Sequence, residues 1–555
     1  MRASGWVLAG YLAAVAGVVP AVWLAAAPPA VALWQGTPRF EAVAAYRQAA
    51  RLAEGFPYRP TGSAGAAAAA RWLEGELRGL GLQAGVQRGE ALLGGRRVPL
   101  MNVYAVRPGR RRETVVIVAN FDMAPTSYQA ASDTAAGVGV LLELARVFAR
   151  EAHERTLLFV APDGEEWGML GARLFAFDPP VSDPLVASVV VEDLAIGRLM
   201  RLSPTMTGQF GGYTPMWLRE VARRATQAEG IEFADPPLAL EYADRAVLIS
   251  ATDQGPFLAA GIPSIELTTE GDHPVLQDEI YHAPGDLMPL MRVDAFHTFG
   301  RIAERMVRTL DTIMIPREEV GVRLPDGRVA SGWPLRLAQI ALFMPLLMAT
   351  IRTTRGDPWL RALGETLRRV AVLTAVYGAV RLLPALGVVP GYELYPPPPK
   401  HPLLYQPQVV PLLFPVLVGI LVVLIVRSAW PPPALPARER RAGALLAMTL
   451  LALLVLWENP FAATTFLLLP AWFWVWVSPG SLPRTILDAV LLVAGWAVVG
   501  VLIQVQTGLL FGAHLPWYFL LGTAYGQFTA TRSLATLALM AIWTQLVQVG
   551  RPVQT

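Results

Sequence analysis

Two adjacent glutamates behind a predicted strand are the strongest chemical signal in this sequence. The apolar run Thr156–Val160 has the length of a strand, and it leads into Asp163–Glu166, which reads DGEE. Adjacent carboxylates repel each other unless a cation or a shared proton relieves the repulsion. A metal ion accounts for both glutamates, because one carboxylate binds the ion while its neighbour stays free as a general base for the attacking water. A solvated acidic loop is the alternative interpretation.

Further candidate ligands stand at comparable places, after predicted strands or before a predicted helix. They are Asp133 in ASDTAAGVG before the predicted helix Val138–Arg150, Asn120 and Asp122 after the strand Thr114–Ala119, Glu192 and Asp193 after the strand Ala187–Val191, and His282 in YHAPGD. The carboxyl ends of parallel strands are where an open α/β sheet builds its site. The chain has no cysteine. Carboxylate and imidazole ligands without thiolates make zinc the first expectation.

The elements that must position these residues form an α/β pattern between residues 37 and 315. Short apolar runs alternate with amphipathic helices, and Val98–Val106 and Ile262–Leu267 are further predicted strands. This alternation predicts helices packed around a mostly parallel twisted sheet. The absence of cysteine excludes a disulfide scaffold and a cysteine nucleophile. A net charge of +3 is too small an excess to indicate nucleic-acid binding.

Five sequence segments together resemble a known enzyme family over residues 40–312. The matching segments are Pro60–Ser63 (PTGS) before the predicted helix Ala70–Leu82, Ser132–Arg146 (SDTAAGVGVLLELAR), Asp163–Ala172 (DGEEWGMLGA), Thr252–Phe257 with Gly261–Pro263 (TDQGPF and GIP), and Tyr281–Asp286 (YHAPGD). On these segments the domain resembles the zinc aminopeptidases of the co-catalytic di-zinc exopeptidases, whose relatives include glutamate carboxypeptidases and glutaminyl cyclases. Any one of these segments would be weak, but their order on a strand–helix pattern makes the resemblance specific.

The resemblance implies a role for each residue that matches the family's motifs. Asp133 would bridge two zinc ions, Glu166 and His282 would complete the first site, and Asp193, preferred over Glu192, would serve the second. Glu165 would be the general base that activates the attacking water and hands its proton to the leaving amine. Asp122, Tyr281 and Asp253 are expected to support these ligands or to contact substrate.

One position departs from the family's pattern. Where the family carries a zinc-binding histidine in its HxD motif, this sequence has Asn120, with Asp122 retained. An amide oxygen is a weaker zinc ligand than imidazole. The sequence therefore leaves three states open: two zinc ions with a weak second one, a single zinc ion, or an inactive descendant. His273, in EGDHP, is a candidate substitute ligand, although a loop histidine is the simpler interpretation.

The function predicted on this basis is a membrane-bound zinc aminopeptidase that removes N-terminal residues from peptides outside the cytoplasm. Two alternatives stay open. One is a catalytically inactive, peptidase-like receptor or scaffold, and the other is a glutaminyl-cyclase-like transferase with one zinc ion. A peptide substrate and the lipid bilayer are the expected partners, and nucleic acid is not.

Membrane-spanning segments explain an unusual composition. Of 555 residues, 54% are hydrophobic and 16% are charged, against about 25% charged in ordinary soluble domains. The segments predict four regions: an N-terminal anchor or signal peptide over 1–36, the peptidase-like domain over 37–315, a linker over 316–332, and a bundle of about eight helices over 333–555. This layout is similar to that of the endoplasmic-reticulum metallopeptidases.

The distribution of arginine predicts the orientation of the bundle. Arginines crowd the loops after the first and third apolar segments, and one arginine follows each of the fifth (Arg484) and the seventh (Arg532), whereas the loops 390–408 and 458–460 are nearly free of them. Positive charge marks cytoplasmic loops. We therefore predict a multi-pass protein of a bacterial-type plasma membrane, with the peptidase-like domain on the extracytoplasmic side.

Overall fold

A central sheet carries the peptidase-like part of the chain. The structure is a computed structural model that describes residues 2–29, 31–316, 320–356, 358–393, 406–511 and 514–549. Part of the predicted linker (317–319) and most of the predicted loop 390–408 (394–405) lie outside these ranges. The sheet has eight strands in the order β1-β2-β4-β3-β5-β8-β6-β7. The strands are β1 Gln83–Leu93, β2 Arg96–Arg107, β3 Arg111–Val118, β4 Arg155–Ala161, β5 Leu185–Val190, β6 Leu199–Thr205, β7 Glu232–Phe233 and β8 Ser264–Gly271.

The centre of this sheet is parallel and buried on both faces. Strand β3 pairs in parallel with β4 and β5, and β5 pairs in parallel with β8. Alternate residues of β3 enter different cores: Val115 and Ile117 face one, whereas Val116 and Val118 face the other. Such strands read as continuous apolar runs. The sequence therefore predicted β3, β4 and β5 but not β1, whose charges and glycines suit a sheet edge.

Helices cover both faces of the sheet, as an α/β domain requires. Helices α2, α3, α4, α6 and α10 contribute to the larger core, and α5 and α8 to the smaller one. Their bounds are α2 Ala42–Gly55, α3 Ala64–Gly79, α4 Ala136–Ala149, α5 Leu170–Phe177, α6 Met216–Ala228, α7 Leu238–Val247, α8 Gln254–Ala259, α9 Pro274–Ile280 and α10 Val293–Thr312. The predicted α/β fold with a mostly parallel sheet is confirmed.

Apolar helices make up the two ends of the chain. Helix α1 spans Arg2–Ala25, and a small hairpin of β9 (Gly321–Arg323) and β10 (Val329–Ser331) leads into the C-terminal bundle. The bundle helices are α11 Trp333–Gly356, α12 Leu360–Leu382, α13 Val409–Ala429, α14 Ala437–Glu458, α15 Pro460–Trp474, α16 Leu482–Phe511, α17 Leu515–Tyr525 and α18 Ala530–Val549. Among the described residues, α11, α13, α14 and α16 contain stretches long and apolar enough to cross a bilayer. The chain is thus a membrane protein, while the number of crossings and their orientation stay predictions.

The peptidase-like domain contacts one end of the bundle. Asn459, just after α14, donates its side-chain amide to the carbonyl of Arg245 at 2.8 Å. Arg532, near the start of α18, donates to the carbonyl of Val247 at 3.1 Å, so this arginine lies on the domain side, contrary to the side that the arginine distribution assigns to the loop after the seventh apolar segment. The end of α14 and the start of α18 therefore face the domain, and their other ends lie on the far side of the bundle.

Candidate metal centre

The loop after β4 holds the two glutamates in a turn that needs glycine. Gly164 and Gly168 have φ of 80° and 100°, in the left-handed region that favours residues without a Cβ. Asp163 fixes the start of the loop, because its carboxylate accepts from the backbone N–H of Met101 at 3.1 Å. The loop leaves Glu166 buried and Glu165 half-buried. The two neighbours therefore have different surroundings, as two different roles require.

Asp133 lies in a short π-helical turn, Ala131–Ala135, that continues into α4. The carboxylate of Asp286 holds this turn by accepting from the backbone N–H groups of Ser132 at 2.8 Å and Asp133 at 3.2 Å. Burial, followed by repulsion from Asp133, raises the pKa of Asp286 to about 7. A Cβ on Gly137 would lie 2.3 Å from the carbonyl oxygen of Val191. Glycine at this position lets α4 bring Asp133 to the end of β5.

His282 completes a group of three donors. Its Nε2 lies 3.1 Å from Glu166 Oε2 and 3.8 Å from Asp133 Oδ2. Its φ of 54° is unusual for a residue with a side chain, and its ring stacks on Tyr281 with centroids 3.8 Å apart. Strained backbone of this kind gathers at functional sites. One donor atom from each of Asp133, Glu166 and His282 lies within 4.8 Å of the others.

These three residues fit a bound zinc ion. The set of two carboxylates and one imidazole is one that zinc accepts. Asp133 Oδ2 is buried and accepts no hydrogen bond from the described residues. Burial, followed by repulsion from Asp133 and Asp122, raises the pKa of Glu166 well above its usual range. A cation placed among these groups would relieve that repulsion.

Glu165 is held through its backbone rather than its side chain. Its N–H donates to Asp122 Oδ1 at 3.2 Å, and the other oxygen of Asp122 accepts from the hydroxyl of Thr61 at 3.0 Å. Burial raises the pKa of Asp122 to about 6. Burial, then repulsion from Glu166 and Glu192, raises the pKa of Glu165 well above its usual range. Asp122 thus links Thr61 of the PTGS segment to the loop 163–169 that carries the two glutamates (the glutamate loop).

Asn120 is oriented by the same aspartate. Its Nδ2 lies 3.5 Å from Asp122 Oδ1, and its Oδ1 is buried without a hydrogen-bond partner among the described residues. The amide oxygen is therefore the atom left for a ligand. His273 does not take its place, because 63% of the His273 side chain is exposed and it lies outside the group of three donors.

Glu192 and Asp193 point to different neighbours. Asp193 has a φ of 53°, and its N–H donates to the carbonyl of Asp133 at 3.3 Å. Burial, then repulsion from Asp133, raises its pKa. Glu192 is buried, its pKa is raised by burial and by repulsion from Glu266 and Asp253, and neither of its carboxylate oxygens has a hydrogen-bond partner among the described residues. Asp193 thus lies against the Asp133 side of the site.

Sequence reasoning missed Arg59 and Glu266. Arg59 is fully buried, and it donates to the carbonyls of Phe121 and Gln129, both at 2.7 Å. Burial lowers its pKa to about 10, although the carboxylates of Asp133 and Asp122 oppose this shift. Glu266, fully buried in β8, has its pKa raised by burial to about 7. A charged residue inside a predicted apolar strand was the available signal for Glu266.

An aromatic contact joins the glutamate loop to the membrane bundle. Trp167, next to Glu166, stacks on Tyr392 with centroids 5.6 Å apart and planes 13° apart. Tyr392 lies in the segment after α12, and its ring contacts Tyr525 of α17 edge-on at 5.4 Å. The membrane part of the chain therefore contacts the loop that carries Glu165 and Glu166.

Comparison with known families identifies the domain type. Residues 102–307 match the model of peptidase family M28. The α/β domain resembles peptidase family M28. The match covers Asp133, Glu165, Glu166 and His282, and it confirms the predicted resemblance to a metallopeptidase family. The resemblance to a peptidase family supports a hydrolase.

Individual relatives of the M28-like domain match over limited lengths. A vacuolar membrane protease from Candida glabrata is 35% identical over 81 residues, which are 15% of this chain and 8% of that protein. The chain thus spans a small part of that relative. Among solved structures, Porphyromonas gingivalis glutaminyl cyclase is 18% identical with a TM-score of 0.39, covering 48% of this chain and 98% of that chain. A Bacillus subtilis zinc aminopeptidase is 15% identical with a TM-score of 0.41, covering 51% and 98%.

Proposed function

We propose that this protein is a membrane-bound zinc aminopeptidase that acts on peptides outside the cytoplasm. The observation that carries the proposal is the meeting of Asp133, Glu166 and His282 within 4.8 Å, with Glu165 next to them in the chain. The M28 family match supports peptide hydrolysis. The exopeptidase activity, the role of each residue and the orientation are inferences from the motifs and from the arginine distribution.

Each residue has a definite task in this proposal. Asp133, Glu166 and His282 would hold zinc, which would polarise the scissile carbonyl and acidify a water molecule. Glu165 takes the proton from the attacking water and delivers it to the leaving amine. Asp122 keeps Glu165 in place through the backbone N–H of that residue. Tyr281 restrains the ring of His282 by stacking on it.

The deciding experiment measures metal content and product together. Full-length protein in detergent, loaded with zinc, is incubated with short peptides, and the released amino acids are identified by mass spectrometry. We expect single residues released from the N-terminus, and no release after chelation. Absence of turnover by protein that carries stoichiometric zinc would instead support the inactive receptor or scaffold.

A second candidate is a glutaminyl-cyclase-like transferase. The observation that favours it is Asn120, which leaves one complete set of zinc donors rather than two. In this reaction the α-amine of an N-terminal glutamine attacks its own side-chain amide, and ammonia leaves. A peptide that begins with glutamine separates the two functions, because a peptidase releases free glutamine whereas a cyclase releases ammonia and keeps the peptide length.

Restoring histidine at position 120 is expected to create a second metal site. An imidazole beside Asp122 replaces a weak amide donor with a strong one. We expect Asn120→His to bind about one more zinc ion per chain than the natural protein, given the preference of zinc for imidazole. Metal analysis after dialysis measures this, with Asn120→Ala as the control that removes the amide. Equal zinc content in all three proteins would contradict a role for position 120 in metal binding.

Removing the ring of Tyr392 is expected to slow catalysis without removing metal. Tyr392 touches Trp167 in the glutamate loop, and an aromatic pair is worth about 0.5–1.5 kcal/mol. We expect Tyr392→Ala to lower kcat by about two- to tenfold, whereas Tyr392→Phe keeps the stacking and the rate. Glu393→Ala is a matched control, because Glu393 accepts from the backbone N–H of Leu92 and not from the loop. If Glu393→Ala lowered kcat equally, the effect would come from general loosening of the contact between the domain and the bundle.

A further inference from the structure

A large cavity lies in the membrane bundle, far from the candidate metal centre. Its volume is about 1020 Å³, and it is open to the surroundings. It lies where the first half of α12 meets the end of α13, the start of α14 and the end of α18. The opposite ends of α14 and α18 contact the peptidase-like domain through Asn459 and Arg532. The cavity therefore opens on the face of the bundle that lies away from that domain.

Positive charge dominates the lining of this cavity. Four arginines line it, Arg368, Arg369, Arg427 and Arg440, against a single carboxylate, that of Glu365. Arginine presents a planar fork of donors that suits phosphate groups. Four guanidinium groups against one carboxylate leave an excess of positive charge, which is costly beside apolar helices without a further anion. The lining thus calls for a negatively charged ligand.

Internal contacts hold three of the four arginines, and Arg440 donates to the carbonyl of Leu435 at 3.0 Å and to the side chain of Gln548. Glu365 accepts from Arg368 at 2.7 and 2.8 Å and from Arg369 at 2.9 Å. Arg369 also donates to Thr544 at 2.9 Å, so this pair is part of the helix packing. Arg427 is exposed and has no ion pair or hydrogen bond to any residue in the described part of the chain. Arg427 is therefore the cation most available to a ligand.

Much of the remaining wall of the cavity is apolar and continues onto an exposed apolar surface of α13. Val372, Leu373 and Val423 line the cavity beside the arginines. Helix α13 is the most hydrophobic of the candidate spans, and only 11% of its apolar window is buried within the protein. Its Leu424 is 62% exposed, next to the cavity. A ligand with an anionic head and a hydrocarbon tail matches both walls, whereas a free anion matches only the arginines.

We propose that this cavity binds the head group of an anionic phospholipid, with an acyl chain lying along α13. The arginine distribution predicts that this face is cytoplasmic, and the cytoplasmic leaflet is the one rich in anionic lipid. Basic pockets between membrane helices on that side recognise lipid phosphates. The inference does not rest on the peptidase activity, since it concerns other residues at the other end of the bundle.

Thermal unfolding of the full-length protein in nanodiscs tests the proposal. The natural protein is compared in phosphatidylcholine and in an equimolar mixture of phosphatidylcholine and phosphatidylglycerol, and inorganic phosphate is added separately to the first. We expect a higher Tm with phosphatidylglycerol, because a ligand that binds only the folded state stabilises it. We expect no shift with phosphate. Equal Tm values in both lipid compositions, or the same shift with phosphate, would overturn the proposal.

A pair of arginine variants separates a site from diffuse surface charge. Arg427→Gln removes a cavity arginine without breaking a described contact, and Arg355→Gln removes an exposed arginine at the end of α11, outside the cavity. We expect native mass spectrometry to show about fivefold weaker retention of phosphatidylglycerol in Arg427→Gln, the effect of one arginine near a membrane. Arg355→Gln should retain the lipid like the natural protein. Equal loss in both variants would overturn the proposal.

Discussion

Replacement of Glu165 by glutamine is expected to slow turnover strongly while leaving zinc in place. The amide cannot accept a proton from the attacking water, and general acid–base catalysis contributes about 10²- to 10⁴-fold. We therefore expect kcat of Glu165→Gln to fall by about that factor, with unchanged metal content. Steady-state kinetics and metal analysis of the same sample measure the two quantities. Because Glu165 is not among the three donors, its loss should not release the ion.

The fold should survive this substitution. Burial and repulsion from neighbouring carboxylates raise the pKa of Glu165, so a neutral side chain relieves repulsion instead of creating it. We expect the Tm of Glu165→Gln to be no lower than that of the natural protein. Glu54→Gln, which changes an exposed glutamate of α2, is the matched control for the loss of one carboxylate. Undiminished turnover in Glu165→Gln would show that another group is the base.

Loss of zinc is expected to remove both activity and a part of the stability. The ion is bound only by the folded arrangement of Asp133, Glu166 and His282, so binding shifts the folding equilibrium. With free zinc at about a hundredfold its Kd, the domain gains about 2.7 kcal/mol of unfolding free energy. A titration of Tm against zinc measures this gain, and magnesium serves as the comparison ion.

Two histidine variants show whether the stabilisation comes from this site. His282→Ala removes one of three donors and should abolish the zinc-dependent rise in Tm together with turnover. His273→Ala removes an exposed histidine nearby and should leave both unchanged. A zinc-dependent rise that persists in His282→Ala would place the ion elsewhere in the chain.

Local patterns were enough to predict the central strands and the candidate donors. Strands β3, β4 and β5 are buried on both faces, so their sequences are short apolar runs that differ plainly from the loops after them. The candidate donors follow these runs or open a helix, and Asp133, Glu166 and His282 do meet in space. Edge strand β1 was not predicted, because a half-exposed strand with charges and glycines has no continuous apolar run in its sequence.

Contacts between residues far apart in the chain could not be predicted from sequence patterns. Asp286 holds the turn of Asp133 although it lies more than 150 positions away in the chain. Arg59 is buried and donates to the carbonyl of Gln129, which lies 70 positions away. The choice between Glu192 and Asp193 also depends on backbone geometry, since adjacent residues on a chain end point in different directions. No spacing rule contains such information.

The sequence by itself determined the chemistry available to this protein: carboxylates and histidine without thiolate, an α/β domain, and apolar segments for a membrane. Residue types and their periodicity encode these properties, because the buried face of each strand or helix leaves a pattern of apolar residues within that segment of the sequence. Only the tertiary structure decided which donors meet, that Tyr392 of the membrane part stacks on the glutamate loop, and that four arginines surround one cavity. Those outcomes depend on how distant segments pack, and side-chain packing is a property of the whole fold.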